Sequence, residues 1–235
     1  MEKKFDKVKD FFEKQDYLLN RVNIEIRQAI IKEIFPNVNG KRILDMGCGD
    51  GWLSIPFVSS NNVVFLDAAT QMIEVAKMNV SKEGNEKNAT FVQSDILKYN
   101  DEQKFDIILC IGVISHIDDA EELIQRIRFL LKPDGQALIQ FSDIDHFWYR
   151  AKRRFGKPDN YGYSLNKFNQ SGFYKLVDQF GLRLKKKKGY FWQYPIMDRL
   201  KPEFQLRILN AFRDKALFSF LNSEWLVLFE KKIQD

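Results

Sequence analysis

The chemistry-bearing residues of this chain are densest between Ile43 and Gly51, which read Ile-Leu-Asp-Met-Gly-Cys-Gly-Asp-Gly. An apolar run passes there into Gly47, Gly49 and Gly51, spaced two apart. This is how a buried parallel strand ends in a tight loop that lets a ligand lie against bare backbone. A dinucleotide-binding loop would carry its third glycine at the position of Trp52 and hold a pyrophosphate on the following helix N-terminus. Here the third glycine comes one residue early, and between Ile43 and Ser60 there are two aspartates, Asp45 and Asp50, and no lysine or arginine. A polyphosphate would meet unfavourable charge in such a turn, whereas a cationic nucleoside would be favoured.

S-adenosylmethionine answers that description, with its ammonium and sulfonium beside the acidic turn and its adenosine reaching toward the next strands. Two further carboxylates stand where it would need them. Val63-Val64-Phe65-Leu66 reads as a second buried strand, and Asp67 at its end is placed to take a ribose diol. After a helix that turns Met72, Val75, Ala76 and Val80 to the sheet, Ala89 to Val92 makes a third strand ending in Ser94-Asp95-Ile96-Leu97. Asp95 can accept from an adenine amino group and Ile96 offers the ring an apolar contact. A fourth strand, Phe105 to Ile111, ends in Gly112-Val113-Ile114-Ser115-His116, and the loop after it should border the transferable methyl.

Residues 41–141 resemble a class I S-adenosylmethionine-dependent methyltransferase. The motifs run in order: D-M-G-C-G-D-G, V-V-F-L-D-A-A-T-Q-M, F-V-Q-S-D-I-L, F-D-I-I-L-C-I-G-V-I-S-H-I and L-K-P-D-G-Q-A-L-I. The resemblance implies an α/β fold, a Rossmann-like seven-stranded methyltransferase sheet with helices on both faces. It also implies an N-terminal lid helix and helical, aromatic insertions after strands five and six. Asp45 with Gly47, Gly49 and Gly51 would then hold the methionine end, Asp67 the ribose hydroxyls, and Asp95 with Ile96 the adenine, with Cys48, Ala68, Met72, Cys110 and Ile111 as further cofactor-binding candidates. Ala69 departs from the serine that many members carry after the ribose acid. The overall plan is similar to that of quinone-pathway and magnesium-protoporphyrin methyltransferases, the latter through Leu-Ser-Ile-Pro-Phe after the glycine loop.

The elements around this core are expected to form one domain over residues 1–235, with a lid helix at 1–36, the cofactor core at 41–141 and substrate caps at 142–170 and 190–222. A length of 235 residues at 45% hydrophobic content is enough for one sizeable core. The charged start and the lack of a long apolar run give no membrane-spanning segment, and the expected location is cytoplasmic. Two cysteines without a C-x-x-C supply neither a disulfide framework nor a zinc site, and no metal is expected. Apolar residues from Phe12 to Ile34 recur at helical spacing up to Pro36. The beginning of this helix resembles the lids of small-molecule methyltransferases, in which Tyr17 and Arg21 would cover the cofactor; an amphipathic surface helix is the alternative.

Beyond strand five the character changes. Residues 151–190 hold eleven Lys or Arg against Asp159 and Asp178, nine net positive charges in a chain of net +5, so the rest is net −4. This asymmetry points to an anionic acceptor, carrier or surface, while Lys185 to Lys188 taken alone read as a solvated strand. Aromatics crowd the same region, and Trp148, Arg153, Arg154, Tyr161, Tyr163 and Trp192 are the candidate acceptor contacts. His116 is the candidate general base, with Tyr161, Tyr163 and His146 behind it. The reading is a methyltransferase for a small, apolar or aromatic, anionic acceptor, with transfer to oxygen. The alternatives are an RNA methyltransferase, since interleaved basic and aromatic residues can stack nucleobases, and a silent cofactor-binding scaffold. The absence of N-P-P-Y or D-P-P-Y after strand four argues against amino methylation of nucleobases. Peripheral membrane contact through the helix at about 201–213 is compatible with the pattern, as is a monomer or a homodimer.

Overall fold

A computed structural model of the chain describes residues 21–84, 86–155, 166, 168–190, 200–212 and 216–232. In chain order these form α1 (Arg21–Ile34), β1 (Arg42–Met46), β2 (Asn62–Asp67), α2 (Thr70–Lys82), β3 (Ala89–Gln93), β4 (Phe105–Cys110), α3 (Ala120–Leu130), β5 (Leu131–Ser142), α4 (Phe147–Phe155), α5 (Gln170–Gln179), β6 (Leu182–Tyr190), α6 (Pro202–Phe212) and β7 (Glu224–Lys231). Short 3-10 turns at Ile55–Phe57, Glu86–Asn88 and Ala216–Leu221 complete the described elements.

The seven strands make one sheet in the order β3-β2-β1-β4-β5-β7-β6. β1 pairs in parallel with both β2 and β4, and β7 runs antiparallel between β5 and β6. Chain order therefore reverses between β1 and β4, and the crevice outside the carboxyl ends of those two strands is where an open α/β sheet accepts a ligand. The first glycine loop opens there.

Apolar runs form these strands because both faces are covered. Along β1, Ile43 enters the core under α1, α2 and α6, where Ile26, Ile30, Ile73, Ala76 and Leu209 pack. Leu44 and Met46 enter the opposite core, under α3 and α5, with Leu123, Ile127, Phe173 and Val177. The start of α3 is fixed by Asp119, whose carboxylate accepts from Glu122 N, and that of α5 by Asn169, which accepts from Gly172 N. These bonds satisfy amides that a helix start leaves without a backbone partner.

The edge strand β6 alternates poorly because it is solvated. Arg183 to Lys187 are exposed; Arg183 and Lys185 both reach Glu230, and Lys188 reaches Glu33. Charged edges of this kind discourage pairing with another sheet. Among the described residues no helix is long and apolar enough to cross a membrane. β4 stops at Cys110, one residue short of the expected Ile111, while β2 and β3 run on to Asp67 and Gln93.

Candidate functional site

The glycine loop is stitched across the end of β2. Gly47 N and Cys48 N both donate to Leu66 O, at 2.7 and 3.0 Å, and Gly51 N donates to Cys48 O at 3.0 Å. Gly47 has a φ of +76°, and a Cβ built on it would be driven into Val113 Cγ2 and stand 3.5 Å from Ile96 Cδ1. Only glycine fits that conformation and that closeness at once. Gly47 thereby brings the loops after β1, β3 and β4 into contact around one point.

Asp67 secures the loop from below. One carboxylate oxygen accepts from Gly49 N and the other from Ala69 N, each at 2.9 Å. Asp45, on β1, is 2% exposed and accepts from the Ser54 hydroxyl. Asp50 accepts from Trp52 N at 3.3 Å and, through its carbonyl, from Asn79 Nδ2 at 2.9 Å. Burial pushes all three carboxyls upward, and the Asp45 carboxyl, pressed further by the charges of Asp67 and Asp50, reaches about 7. Among the described residues no lysine or arginine pairs with any of the three. Buried Asp45 and Asp50 with half-buried Asp67, and no counter-charge among the described residues, make a pocket that gains from a cation.

Asp95 is half-buried; it accepts from Leu97 N at 2.9 Å, and its other oxygen lies 3.9 Å from Lys98 Nζ. Ile96 and Met72 are buried and Ala68 is half-buried. The two thiols are inert by environment, since burial holds Cys48 and Cys110 well above their usual range. Cys110 is fully enclosed in the α3–α5 core with Leu44 and Ile108, so its backbone, and not its sulfur, borders the crevice, whereas Ile111 packs on the α1 side.

His116 sits half-buried in the turn after β4, its backbone N donating to Val113 O at 2.8 Å. That turn is braced by Asn166, which donates through its backbone to Ser115 O at 2.8 Å and through its side chain to the carbonyls of Ile114 and Ile117. His146 is buried, its ring 4.6 Å from that of Phe147, and desolvation lowers its proton affinity despite bonds to the Phe220 and Leu221 backbone. Arg154 is exposed on α4. Tyr17, Tyr161, Tyr163 and Trp192 lie outside the described residues, as do the side chains of Arg21, Trp148 and Arg153.

A buried polar cluster escaped the sequence analysis. Arg27 Nε donates to Tyr190 Oη at 3.0 Å, and Tyr190 donates in turn to Asn23 Oδ1 at 3.1 Å. Gln140 Nε2 donates to Tyr190 Oη at 3.2 Å and to Glu224 Oε2 at 2.8 Å. Glu224 further accepts from Ser142 Oγ at 3.0 Å and Tyr149 Oη at 2.9 Å. The available signal was Gln140 itself, a polar residue interrupting the apolar run Ala137-Leu138-Ile139 at an inward position.

The sequence model of a methyltransferase domain matches residues 19–187. A ubiquinone biosynthesis O-methyltransferase of Rickettsia typhi is 28% identical over 144 residues, 58% of each chain. The chain spans about half the length of this and two further curated relatives from Rickettsia. Magnesium protoporphyrin IX methyltransferase from Synechocystis PCC 6803 superimposes with a TM-score of 0.64 at 15% identity, covering 90% of this chain and 84% of that one. The cyclase SpnF does so with 0.62 at 15% identity, covering 88% and 81%. At such identities these likenesses speak for the fold.

Proposed function

Because the chain belongs to the methyltransferase-domain family, we propose that it transfers the methyl group of S-adenosylmethionine to oxygen of a small, apolar or aromatic, anionic acceptor. The observation that carries the cofactor is the set of acids, Asp45 and Asp50 buried and Asp67 half-buried, around a lysine-free glycine loop at the sheet's switch point. Such a set favours a sulfonium and ammonium and disfavours a pyrophosphate. The oxygen acceptor is supported by the relatives whose names carry O-methyltransferase, and its negative charge by the basic 151–190 region.

The bound cofactor supplies an electrophilic methyl on sulfur, and the protein's share is alignment and exclusion of water. Asp45 and the glycine loop fix the methionine end, Asp67 the ribose hydroxyls, and Asp95 with Ile96 the adenine. To His116, on the turn after β4, we assign the removal of the proton from an acceptor hydroxyl. The caps at 142–170 and 190–222 are assigned to the acceptor, with Trp148, Arg153, Arg154, Tyr161, Tyr163 and Trp192 as its contacts.

Calorimetry with S-adenosylmethionine, its demethylated product and NAD tests the reading. The first two should bind and NAD should not. Asp67→Ala should weaken both by tenfold or more, from the loss of charge-assisted bonds worth about 1.5–3 kcal/mol each. Unchanged affinity in a folded Asp67→Ala chain would remove the ribose assignment. Retention of RNA in a salt-dependent way would favour the nucleic-acid acceptor instead, and cofactor binding with no acceptor of either class would favour a scaffold.

A further inference from the structure

Beside the cofactor crevice the structure holds a second site with its own unmet chemistry. Gln140 is 4% exposed, and its Oε1 is a buried acceptor without a partner. The only other such atoms among the described residues are Asn222 Oδ1 and Trp225 Nε1. Gln140 pairs with Leu226 where the carboxyl end of β5 meets the amino end of β7, while Trp225, opposite Phe141, turns to the other face of the sheet, into the core under α3 and α5. A buried carbonyl left without a donor costs free energy, so a fold that keeps one invites a donor from elsewhere.

With Glu224 ionised, the amide gains nothing by turning. Both Nε2 protons are committed, one to Tyr190 Oη and one to Glu224 Oε2, and a carboxylate accepts but does not donate. Burial raises the Glu224 carboxyl, against the bonds it accepts from Gln140, Ser142 and Tyr149 and the charge of Arg27. The oxygen is therefore presented in one direction.

That direction belongs to the α1 face of the sheet. Residues two apart share a face, and Leu138, Leu226 and Leu228 lie in the core beneath α1. Gln140 and Glu224 continue the same rows toward the carboxyl end. Arg27, which bonds Tyr190 of this cluster, reaches within 3.8 Å of where a Cβ on Gly112 would stand, at the end of β4. The cluster thus adjoins the loop assigned to the transferable methyl, on the side away from Asp67.

We propose that Gln140 is a specificity-determining contact for the acceptor, its Oε1 accepting from a hydroxyl of the molecule to be methylated, with Glu224 as the positioning residue that fixes the amide. This rests on the methyltransferase reading and narrows it: the acceptor is a compound carrying a hydroxyl donor at its reacting end. Apolar and charged parts of the acceptor are left to the caps.

The test measures binding of a catechol-type dihydroxybenzoate and of benzoate to the full chain saturated with the demethylated cofactor. Wild-type protein should prefer the dihydroxybenzoate by about fivefold or more, as one buried hydrogen bond allows. Gln140→Met, close in volume but without the amide, should bring that preference near unity while cofactor affinity holds. Glu224→Gln should do the same, because a second amide lets the first reverse; it also serves if Gln140→Met does not fold. A preference retained in either folded variant overturns the inference, as does a wild-type chain that treats the two probes alike or binds neither. A wild-type chain that binds no cofactor removes the methyltransferase reading itself, so the two failures are distinguishable.

Discussion

The Asp45 carboxyl makes cofactor affinity depend on pH in a direction that can be worked from the structure. Burial, with the charges of Asp67 and Asp50, raises it from 3.8 to about 7, against the Ser54 hydroxyl that pulls it down. A folded value above the unfolded one means that its contribution to stability is full below the unfolded value and lost as pH rises through about 7. The free chain thus carries an unfavourable carboxylate above neutrality, which a bound cation relieves. Only the ionised form attracts the cation. With a value near 7, Asp45 goes from about one-tenth ionised at pH 6 to about nine-tenths at pH 8, so affinity for S-adenosylmethionine should rise about tenfold across that interval. Binding near neutrality should release protons, seen in calorimetry as an enthalpy that varies with the ionisation enthalpy of the buffer. The demethylated product lacks the sulfonium charge and should show a shallower profile. Asp45→Asn should bind more weakly and lose most of the dependence. A flat profile in wild type, or an equally steep one in Asp45→Asn, would refute the electrostatic account of this pocket.

Two further outcomes are expected. Gly47→Ala should destabilise the chain by about 1–3 kcal/mol, by combining a positive φ with a collision at Val113; thermal unfolding checks this, and the pair Gly47→Ala with Val113→Ala should recover only the collision part. His116→Ala should lower turnover by about 100-fold at nearly unchanged cofactor affinity if the imidazole takes the acceptor proton; parallel loss of affinity and thermal stability would make it a brace of the loop that Asn166 also holds, and full activity would exclude both roles.

The crevice at the switch point of the sheet is legible in the sequence because its parts are local. A strand that ends in Gly47, Gly49 and Gly51 must turn tightly, an acid at the end of the next strand must face the same crevice, and parallel order then repeats the pattern through Asp95 and the loop after β4. Each inference needs only a period of two and the rule that ligands lie at the carboxyl ends of the strands. What the sequence could not give is which side chains meet across the sheet. Gln140, Tyr190, Glu224 and Arg27 come from β5, β6, β7 and α1, and their contacts span separations up to 163 residues. Glu224 in particular reads as a loop acid until antiparallel pairing with Ser142 and Tyr190 draws it into β7. The sequence likewise places Cys110 at the crevice, but the parity of β4 relative to both cores decides that its sulfur packs under α3 and α5. The tertiary structure alone fixes such matters, because a one-residue change of strand register exchanges the buried and ligand-facing sets, and no local residue preference sets that register in a strand buried on both sides.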